Sequence, residues 1–373
     1  MAQGSVKKEG NSWYYVFSYK DPITGKRKQP KKRGFKTKKD AQAALTKALN
    51  QLNEGTYVEP SKMTLNEFLD IWMENKKRTV KVNTQRKYHS LLQNHIRPIL
   101  GKMQIASIKP LHISQLYSEL YEKGRSNATL QSVHTVLVNI FNEAMKLQVV
   151  TQNIIDAISK PKHKPQEMNI WNQEQVQNFL KTATDTPFEL IYVLALNTGM
   201  RQGELLGLLW DDIDFEKKVI KVRHTIIAGS KEVQESTKTA SSRRVIELSD
   251  TVVHLLKKQK IKQAERRLKL GTGYQNMNLV NASLVGTPID PKNLRRNFNN
   301  LIKKASVPQI RFHDLRHTHA SLMLQLGVNV KVISERLGHA STKITLDRYN
   351  HSLPTMQKEA TKAFDNFIYA AQN

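Results

Sequence analysis

Apolar and polar positions alternate from Ser12 to Tyr19, placing Trp13, Tyr15, Phe17 and Tyr19 on one side of an extended strand. Asp21-Pro22-Ile23-Thr24-Gly25 is a turn sequence, so the pattern predicts a hairpin whose second, very basic strand runs from Lys26 to Phe35. The period then lengthens. Thr37, with Asp40 three residues on, reads as a helix N-cap, and Ala41, Ala44, Leu45, Ala48, Leu49 and Leu52 form a helical apolar stripe. A sheet of two or three strands backed by one helix follows. The aromatic row is read as the core side of that sheet, with a base-stacking platform as the alternative.

Residues 63–160 carry only helical periodicity. Thr64 caps a stripe of Leu65, Phe68, Leu69, Trp72 and Met73. A second helix is predicted over Thr84 to Ile96, a turn at Ile99-Leu-Gly-Lys102, and a third helix after Pro110. A longer helix over Ala128 to Leu147 carries Leu130, Val133, Leu137, Ile140, Phe141 and Ala144 on one face. Lys76, Lys77, Arg78, Lys81, Arg86 and Lys87 gather at one helix junction, which suits either a phosphate-facing or a solvated surface. Lys160-Pro161-Lys162-His163-Lys164-Pro165-Gln166 is a linker by composition, and His163 is read as part of it.

Asn172 reads as the cap of a helix to Ala183, and Phe188 to Asn197 as a buried helix broken by Gly199. Arg201 then stands at the start of the next helix. Leu205, Leu206 and Leu208 bury that helix, while Arg201 and Glu204 share a face. Val219 to Thr225 and Arg244 to Leu248 read as strands. Pro291 to Ala305 and Asp314 to Leu326 read as helices, and another is capped by Asn329 and ended by Gly338. Met356 to Tyr369 continues as a helix whose stripe is Ala360, Ala363, Phe364, Phe367 and Ile368. The fold class is therefore a multidomain α+β chain. Residues 1–60 form a small β-sheet plus helix, 61–160 a helical bundle, 161–168 a linker, and 169–373 a mainly α domain with a small antiparallel sheet.

Charge adds a partner to this outline. The 373 residues hold 59 Lys and Arg against 32 Asp and Glu, a formal charge of +27. The excess is spread along the chain: 13 basic against 5 acidic side chains in residues 1–60, 16 against 8 in 61–168, and 30 against 19 in 169–373. That is the footprint of a polyanion binder, although any single lysine is better read as solvated. There is no cysteine, which excludes a disulfide framework and a thiolate metal site. No apolar run reaches the length of a membrane span and no signal-peptide core is present, so no membrane partner and a cytoplasmic location are expected.

The chemistry lies in the last half. Arg201-Gln-Gly-Glu204 is followed much later by His313-Asp-Leu-Arg316-His317, then by Leu337-Gly-His339 and Tyr349. A phosphodiester under attack gains negative charge on its non-bridging oxygens, and the arginine fork meets two such oxygens at once. Preorganised donors of this kind supply a large catalytic effect. Histidine can donate to phosphate or exchange a proton near neutrality. A tyrosine hydroxyl can form a covalent intermediate, given cationic neighbours or a base.

These residues carry a resemblance. Thr198-Gly-Met-Arg201-Gln-Gly-Glu204-Leu-Leu-Gly-Leu resembles the first arginine box of the tyrosine recombinases, the phage integrase family, and His313-Asp-Leu-Arg316-His317-Thr318 resembles the second. Leu337-Gly-His339-Ala-Ser341 and Thr345-Leu-Asp-Arg-Tyr349-Asn-His351 resemble the third histidine and the nucleophile segment. Thr237-Lys238-Thr239-Ala-Ser-Ser-Arg-Arg244 resembles the β-hairpin bearing the family's lysine. The sheet-and-helix at residues 1–60 resembles an arm-site DNA-binding domain, and the helical region resembles a core-binding domain.

The resemblance implies a site-specific recombinase that integrates and excises a mobile element. Tyr349 would attack the scissile phosphate and leave a 3′-phosphotyrosyl bond, with Arg201 and Arg316 on the non-bridging oxygens. Lys238 would protonate the departing 5′-oxygen, His313 would assist proton transfer at the tyrosine, and His339 would donate to the phosphate. Glu204 would buttress Arg201 or a nearby histidine. Lys231, Arg243 and Arg244 are alternatives for the proton donor. Arg336 and Arg348 are read as surface or phosphate contacts.

No cofactor and no metal are implied. The implied partners are double-stranded DNA at core and arm sites and three further copies of the chain, as a homotetramer on DNA. An excision factor and a host DNA-bending protein are further candidates, and the location would be the nucleoid of a bacterial host. The C-terminal helix would pack on its own domain or on a neighbouring protomer. The arm-like domain favours the integrase of a temperate phage or conjugative element over a chromosome-dimer resolving recombinase. A DNA-binding protein of the same fold without catalysis and a type IB topoisomerase-like enzyme are the competing readings.

Overall fold

The structure is a computed structural model that describes residues 4–20, 25–54, 57, 61–162, 169–227, 230, 232–235, 243–339 and 341–349, with Thr361, Phe364, Asp365 and Ile368. The side chains of residues 344 and 347–349 lie outside the description. By chain contacts the molecule divides into two units, Met1–Pro165 and Gln166–Asn373.

The first unit begins with three antiparallel strands in the order β1 (Gly4–Glu9), β2 (Ser12–Phe17) and β5 (Lys31–Phe35). Strand β1 goes beyond the predicted hairpin, because Val6 is its only large apolar residue and gives no alternation to read. It pairs with β2 in the register Val6↔Tyr15. The basic second strand is broken into β4 (Arg27–Lys28), which pairs with β3 (Tyr19–Lys20), and β5. Pro30 lies in the break, where a missing N–H costs no ladder bond. The predicted turn at residues 21–24 lies outside the described residues.

Period two decides which face of this sheet is inside. Tyr15 and Phe17 are buried against Leu45 and Ala48 of α1 (Lys38–Asn53), with Tyr19 and Phe35 packed at the edge. Tyr15, Phe17 and Tyr19 of the aromatic row are therefore core, while Trp13 stays partly exposed at its end. Helix α1 starts where predicted: the Thr37 hydroxyl accepts from the Asp40 backbone N–H at 3.1 Å.

A separate cluster of buried side chains joins the helices that follow, α2 (Leu65–Thr79), α3 (Val82–Leu91), α4 (Arg97–Leu100), α5 (Pro110–Glu122) and α6 (Asn127–Lys146). Thr64 and Glu67 form a complete capping box on α2. Phe68, Trp72, Leu137 and Phe141 are almost fully buried in this cluster, each stabilising the fold by about 1.5–3 kcal/mol. The helix predicted over Thr84 to Ile96 runs on instead. A wider π turn at Leu92–Ile96 joins α3 to α4, so Ile99 and Leu100 complete a helix where a turn was expected. Pro98 has no N–H to give to the preceding turn, and the wider turn accommodates that loss. At the basic junction, Lys76 pairs with Glu143 at 3.4 Å and Lys77 with Glu74 at 2.7 Å.

The second unit is built on α7 (Gln173–Ala183), α8 (Glu189–Thr198) and α9 (Gln202–Leu206), followed by a small sheet. That sheet has the order β10 (Arg244–Glu247), β7 (Val219–Val222), β6 (Ile213–Asp214), and β8 (His224–Ile226) pairs separately with β9 (Val233–Glu235). Helix α10 (Asp250–Leu270) was not legible in the pattern. It buries only Val252, Val253, Leu256 and Gln263, so its apolar stripe fades after two turns. Helices α11 (Pro291–Lys304), α12 (Asp314–Gln325), α13 (Val330–Leu337) and α14 (Thr342–Tyr349) complete the described unit.

Trp171, Phe179, Tyr192, Phe298 and Phe312 form an aromatic centre in which α7, α8 and α11 meet. Trp171 also ties the start of the unit to α12, its backbone N–H donating to the Thr318 hydroxyl at 3.2 Å. Among the described residues, no helix is long and apolar enough to cross a membrane.

Candidate active site

Two glycine turns organise the site. Gly199 ends α8 with φ +63°, and Gly338 ends α13 with φ +67°, a conformation that favours glycine. The backbone around these turns faces inward and accepts from the two sequence-predicted arginines. Arg316 on α12 donates through Nη1 to the Gly199 carbonyl at 2.7 Å and through Nη2 to the Leu337 carbonyl at 2.6 Å. Arg201, the N-cap of α9, donates through Nη2 to the Gly338 carbonyl at 3.1 Å. Residues far apart in sequence thus converge on the Leu337–Gly338 turn, and His339 follows directly from it.

Glu204 secures the first arginine. It accepts from the Arg201 backbone N–H at 2.9 Å and from Arg201 Nη1 at 2.7 Å. Its second partner was not expected. Arg244, the first residue of β10, donates to Glu204 Oε2 at 2.7 Å and through Nε to the Arg336 carbonyl at 2.7 Å. Burial would raise the Glu204 pKa, but the hydrogen bond and charge of Arg244, joined by the charge of Arg201, hold it down at about 2. Glu204 is therefore a carboxylate at neutral pH, not a general acid.

The two guanidinium groups beside it differ in access. The Arg201 side chain is 39% exposed and that of Arg244 only 6%. Arg201 can meet a ligand, while Arg244 acts inward. A guanidinium is charged at any ordinary pH, and that of Arg244 is spent on Glu204 and a backbone carbonyl. Its fixed partner is the signal that sequence reading lacked, because Glu204 lies 40 positions earlier.

The second box is capped in the same manner. Asp314, three residues after Arg311, accepts from the Arg311 backbone N–H at 2.8 Å and from its guanidinium at 2.8 and 3.0 Å. This clamp sets His313 at the N-cap of α12, exposed, with its ring edge-on to His317 at 5.1 Å. His339 is half-buried, and its Nδ1 lies 2.8 Å from the hydroxyl of the fully buried Thr345 on α14.

Arg336, expected at the surface or on a phosphate, instead donates to the backbone carbonyls of Asn197 at 2.8 Å and Glu247 at 3.2 Å. It joins the ends of α8 and β10. Arg243 is exposed and paired with Glu235 at 2.8 Å. Lys238 and Lys231 lie outside the described residues, as do the side chains of Tyr349 and Arg348 and most of the predicted C-terminal helix. The described end of α14 places the backbone of residue 349 one helical turn beyond Thr345.

Among the described residues, no group of three or more His, Asp or Glu side chains is gathered as a metal site. What the site offers is fixed positive charge. Arg201 is aimed by a backbone oxygen and the buried Glu204 carboxylate, while Arg316, itself buried, is held by two backbone oxygens. Charges fixed in this way need little reorganisation when an anion arrives.

Residues 170–356 match the Phage integrase family. The chain belongs to this family. Residues 5–52 match the Arm DNA-binding domain, and 64–121 the Phage integrase N-terminal SAM-like domain. A tyrosine recombinase XerC-like protein of Caldanaerobacter subterraneus subsp. tengcongensis is 31% identical over 89% of this chain and 90% of its own. The ICEBs1 integrase of Bacillus subtilis is 28% identical over 98% of this chain and all of its own length.

Among solved structures, the fold is shared with the Tn1549 transposon integrase in complex with transposon right end DNA. The TM-score is 0.67 at 23% identity, over 80% of this chain and 99% of that one. A lambda integrase tetramer bound to a Holliday junction gives a TM-score of 0.60 at 21% identity, over 90% of this chain and 93% of that one. The chain is thus a tyrosine recombinase, an enzyme that breaks and rejoins DNA strands.

Proposed function

We propose that residues 169–373 cleave DNA at a core site, with Tyr349 as nucleophile and Arg201, Lys238, His313, Arg316 and His339 as the groups around the scissile phosphate. The tyrosine oxygen bonds to phosphorus, the bond from phosphorus to the 5′-oxygen breaks, and a 3′-phosphotyrosyl ester remains. Lys238 supplies the proton to the 5′-oxygen, and His313 assists removal of the tyrosine proton. Arg201 and Arg316 stabilise the charge on the non-bridging oxygens while His339 donates to one of them. The ester retains the bond energy, so a 5′-hydroxyl from another strand can reverse the reaction without ATP. The observation that carries this reading is the convergence of both arginine boxes on the turn preceding His339. Glu204 supports the reaction by holding Arg201.

In this reading, residues 1–60 grip a separate arm site, residues 61–160 embrace the core site, and the 161–168 linker joins them to the catalytic part. The face of the small sheet opposite α1 suits the first task. It carries Lys7, Tyr14, Lys31 and Arg33, while the aromatic row is turned inward. Four copies would assemble on DNA to exchange strands between an element and its host. An excision factor and a host DNA-bending protein are the accessory partners to seek, in the bacterial nucleoid. The likeness to the ICEBs1 integrase, over 98% of this chain, favours an integrating role.

Tyr349→Phe tests the assignment, because it removes one oxygen. Mixed with DNA bearing the core site, the variant is expected to bind as wild type and to form no covalent adduct resistant to denaturing gel electrophoresis. An adduct from the variant would strike Tyr349 from the mechanism.

A further inference from the structure

The Thr345 hydroxyl departs from the habit of this chain. In the helices, Thr46, Thr135, Thr182 and Thr198 each donate to the carbonyl four residues earlier. Thr345, fully buried in α14, instead meets His339 Nδ1 at 2.8 Å, and among the described residues it makes no other hydrogen bond. A hydroxyl can donate to that nitrogen or accept from it. Accepting would leave the hydroxyl proton buried without a partner, which is costly. Donating satisfies both atoms and leaves the imidazole proton on Nε2.

We propose that Thr345 is a positioning residue that holds His339 as the neutral tautomer protonated on Nε2. This rests on the reading of His339 as a donor to the scissile phosphate. That role needs a proton on the outward nitrogen, whereas the opposite tautomer turns a lone pair toward an anion. The backbone supports the same geometry. The His339 N–H donates to the Ser334 carbonyl at 3.0 Å, and the preceding turn is held by Arg201 and Arg316. The ring is thus fixed from its own backbone on one side and from α14 on the other. Thr345 lies four residues before Tyr349, so the element that carries the nucleophile also sets the proton of the phosphate donor.

Two measurements test this. In single-turnover cleavage of a core-site substrate that traps the covalent adduct, Thr345→Val keeps the side-chain shape and removes the hydroxyl. It is expected to slow adduct formation about 10–100-fold, by analogy with partners that orient metal-bound histidines. Thr345→Ser is expected to restore most of the rate. In a His339→Ala background, Thr345→Val is expected to add nothing.

Nitrogen-15 spectra of histidine-labelled protein, with His339 assigned by its loss in His339→Ala, are expected to show a proton on Nε2 in wild type. In Thr345→Val they should show a mixture of tautomers. A wild-type rate in Thr345→Val, an undiminished effect in the His339→Ala background, or a proton on Nδ1 in wild type would overturn the proposal. So would equal impairment of the serine and valine variants. Wild-type protein that forms no adduct would strike the proposed function instead, and the nitrogen spectrum would still decide the tautomer.

Discussion

Arg244 and Lys31 are both cations on short strands, and the molecule uses them in opposite ways. Arg244 is buried, with Glu204 and a backbone carbonyl as its acceptors. Lys31 stands on the open face of the N-terminal sheet, 3.7 Å over the Tyr14 ring and 3.5 Å from Glu9, with a third of its side chain in water. Around the reaction centre, cations are held by several fixed partners, so their positions are determined before substrate arrives. On the N-terminal sheet Lys31 has an ion pair and a ring contact at the surface in place of buried acceptors, which suits a long polyanion whose phosphates must be met in number. The net charge of the chain conceals this division.

Removing the shared counter-charge breaks the comparison most severely. Glu204→Ala leaves Arg244 buried beside no carboxylate, and a loss of about 3–5 kcal/mol of stability is expected, with no adduct formed. Replacing both partners, as Glu204→Met with Arg244→Met, should recover a large part of the melting temperature but not the cleavage rate. Thermal unfolding of the three proteins decides the point. A Glu204→Ala melting curve superimposable on wild type would show that the buried pair has no structural weight.

Acid sharpens the same contrast. The folded Glu204 carboxyl sits at about 2 against an ordinary 4.5, so the unfolded chain takes up its proton first. Its contribution is therefore complete above pH 4.5 and is lost as the pH falls toward 2. His319, also buried, acts in a higher window. Burial and then the nearby charge of Arg336 push its pKa down to about 4 from 6.5, while a hydrogen bond to the Leu196 carbonyl opposes them. The unfolded histidine protonates first, so this contribution is present above pH 6.5 and lost between 6.5 and 4. Melting temperature should fall on going from pH 7 to pH 5. The His319 resonances should show a neutral ring throughout that range, and a ring that titrates near 6.5 would contradict its buried placement.

The smallest effects belong to the arm sheet. Lys31→Ala should change stability by about 1 kcal/mol or less, since its ion pair is partly exposed. Arm-site affinity should fall, with the logarithmic salt slope shallower by about one for each phosphate left without its cation. Cleavage of a core-only substrate should be unaffected. Core cleavage that falls along with arm binding would erase the distinction between the two regions.

The legible parts of the chain were those written in local sequence. Thr37, Thr64, Asn172 and Asn329 act as caps through bonds to residues two or three positions on, and Gly199 and Gly338 stop helices by their own conformation. The two arginine boxes could be found because their motifs are contiguous. What escaped depends on distance. Arg244 and Arg336 look like any surface arginine until the fold brings Glu204, Asn197 and Glu247 to them. Strand β1 has too little apolar content to announce itself and forms because β2 supplies the pairing. Thr345 stood inside the recognised nucleophile segment, yet nothing local distinguishes it from a threonine that bonds to its own helix.

The arginines of the site take hold of carbonyl oxygens at Gly199, Leu337 and Gly338, and a carbonyl belongs to every amino acid. Point changes at Leu337 would alter packing but could not delete the acceptor. Gly199 is stricter, since a β-carbon there would come within 2.6 Å of Leu337 and 2.7 Å of His319. Chain length is stricter still. One residue gained or lost between Leu337 and His339 would displace two acceptors and a histidine together, with no side chain able to compensate. Along an evolutionary lineage position 337 should therefore drift among apolar letters, while Gly338, His339 and the residue count of the stretch are kept.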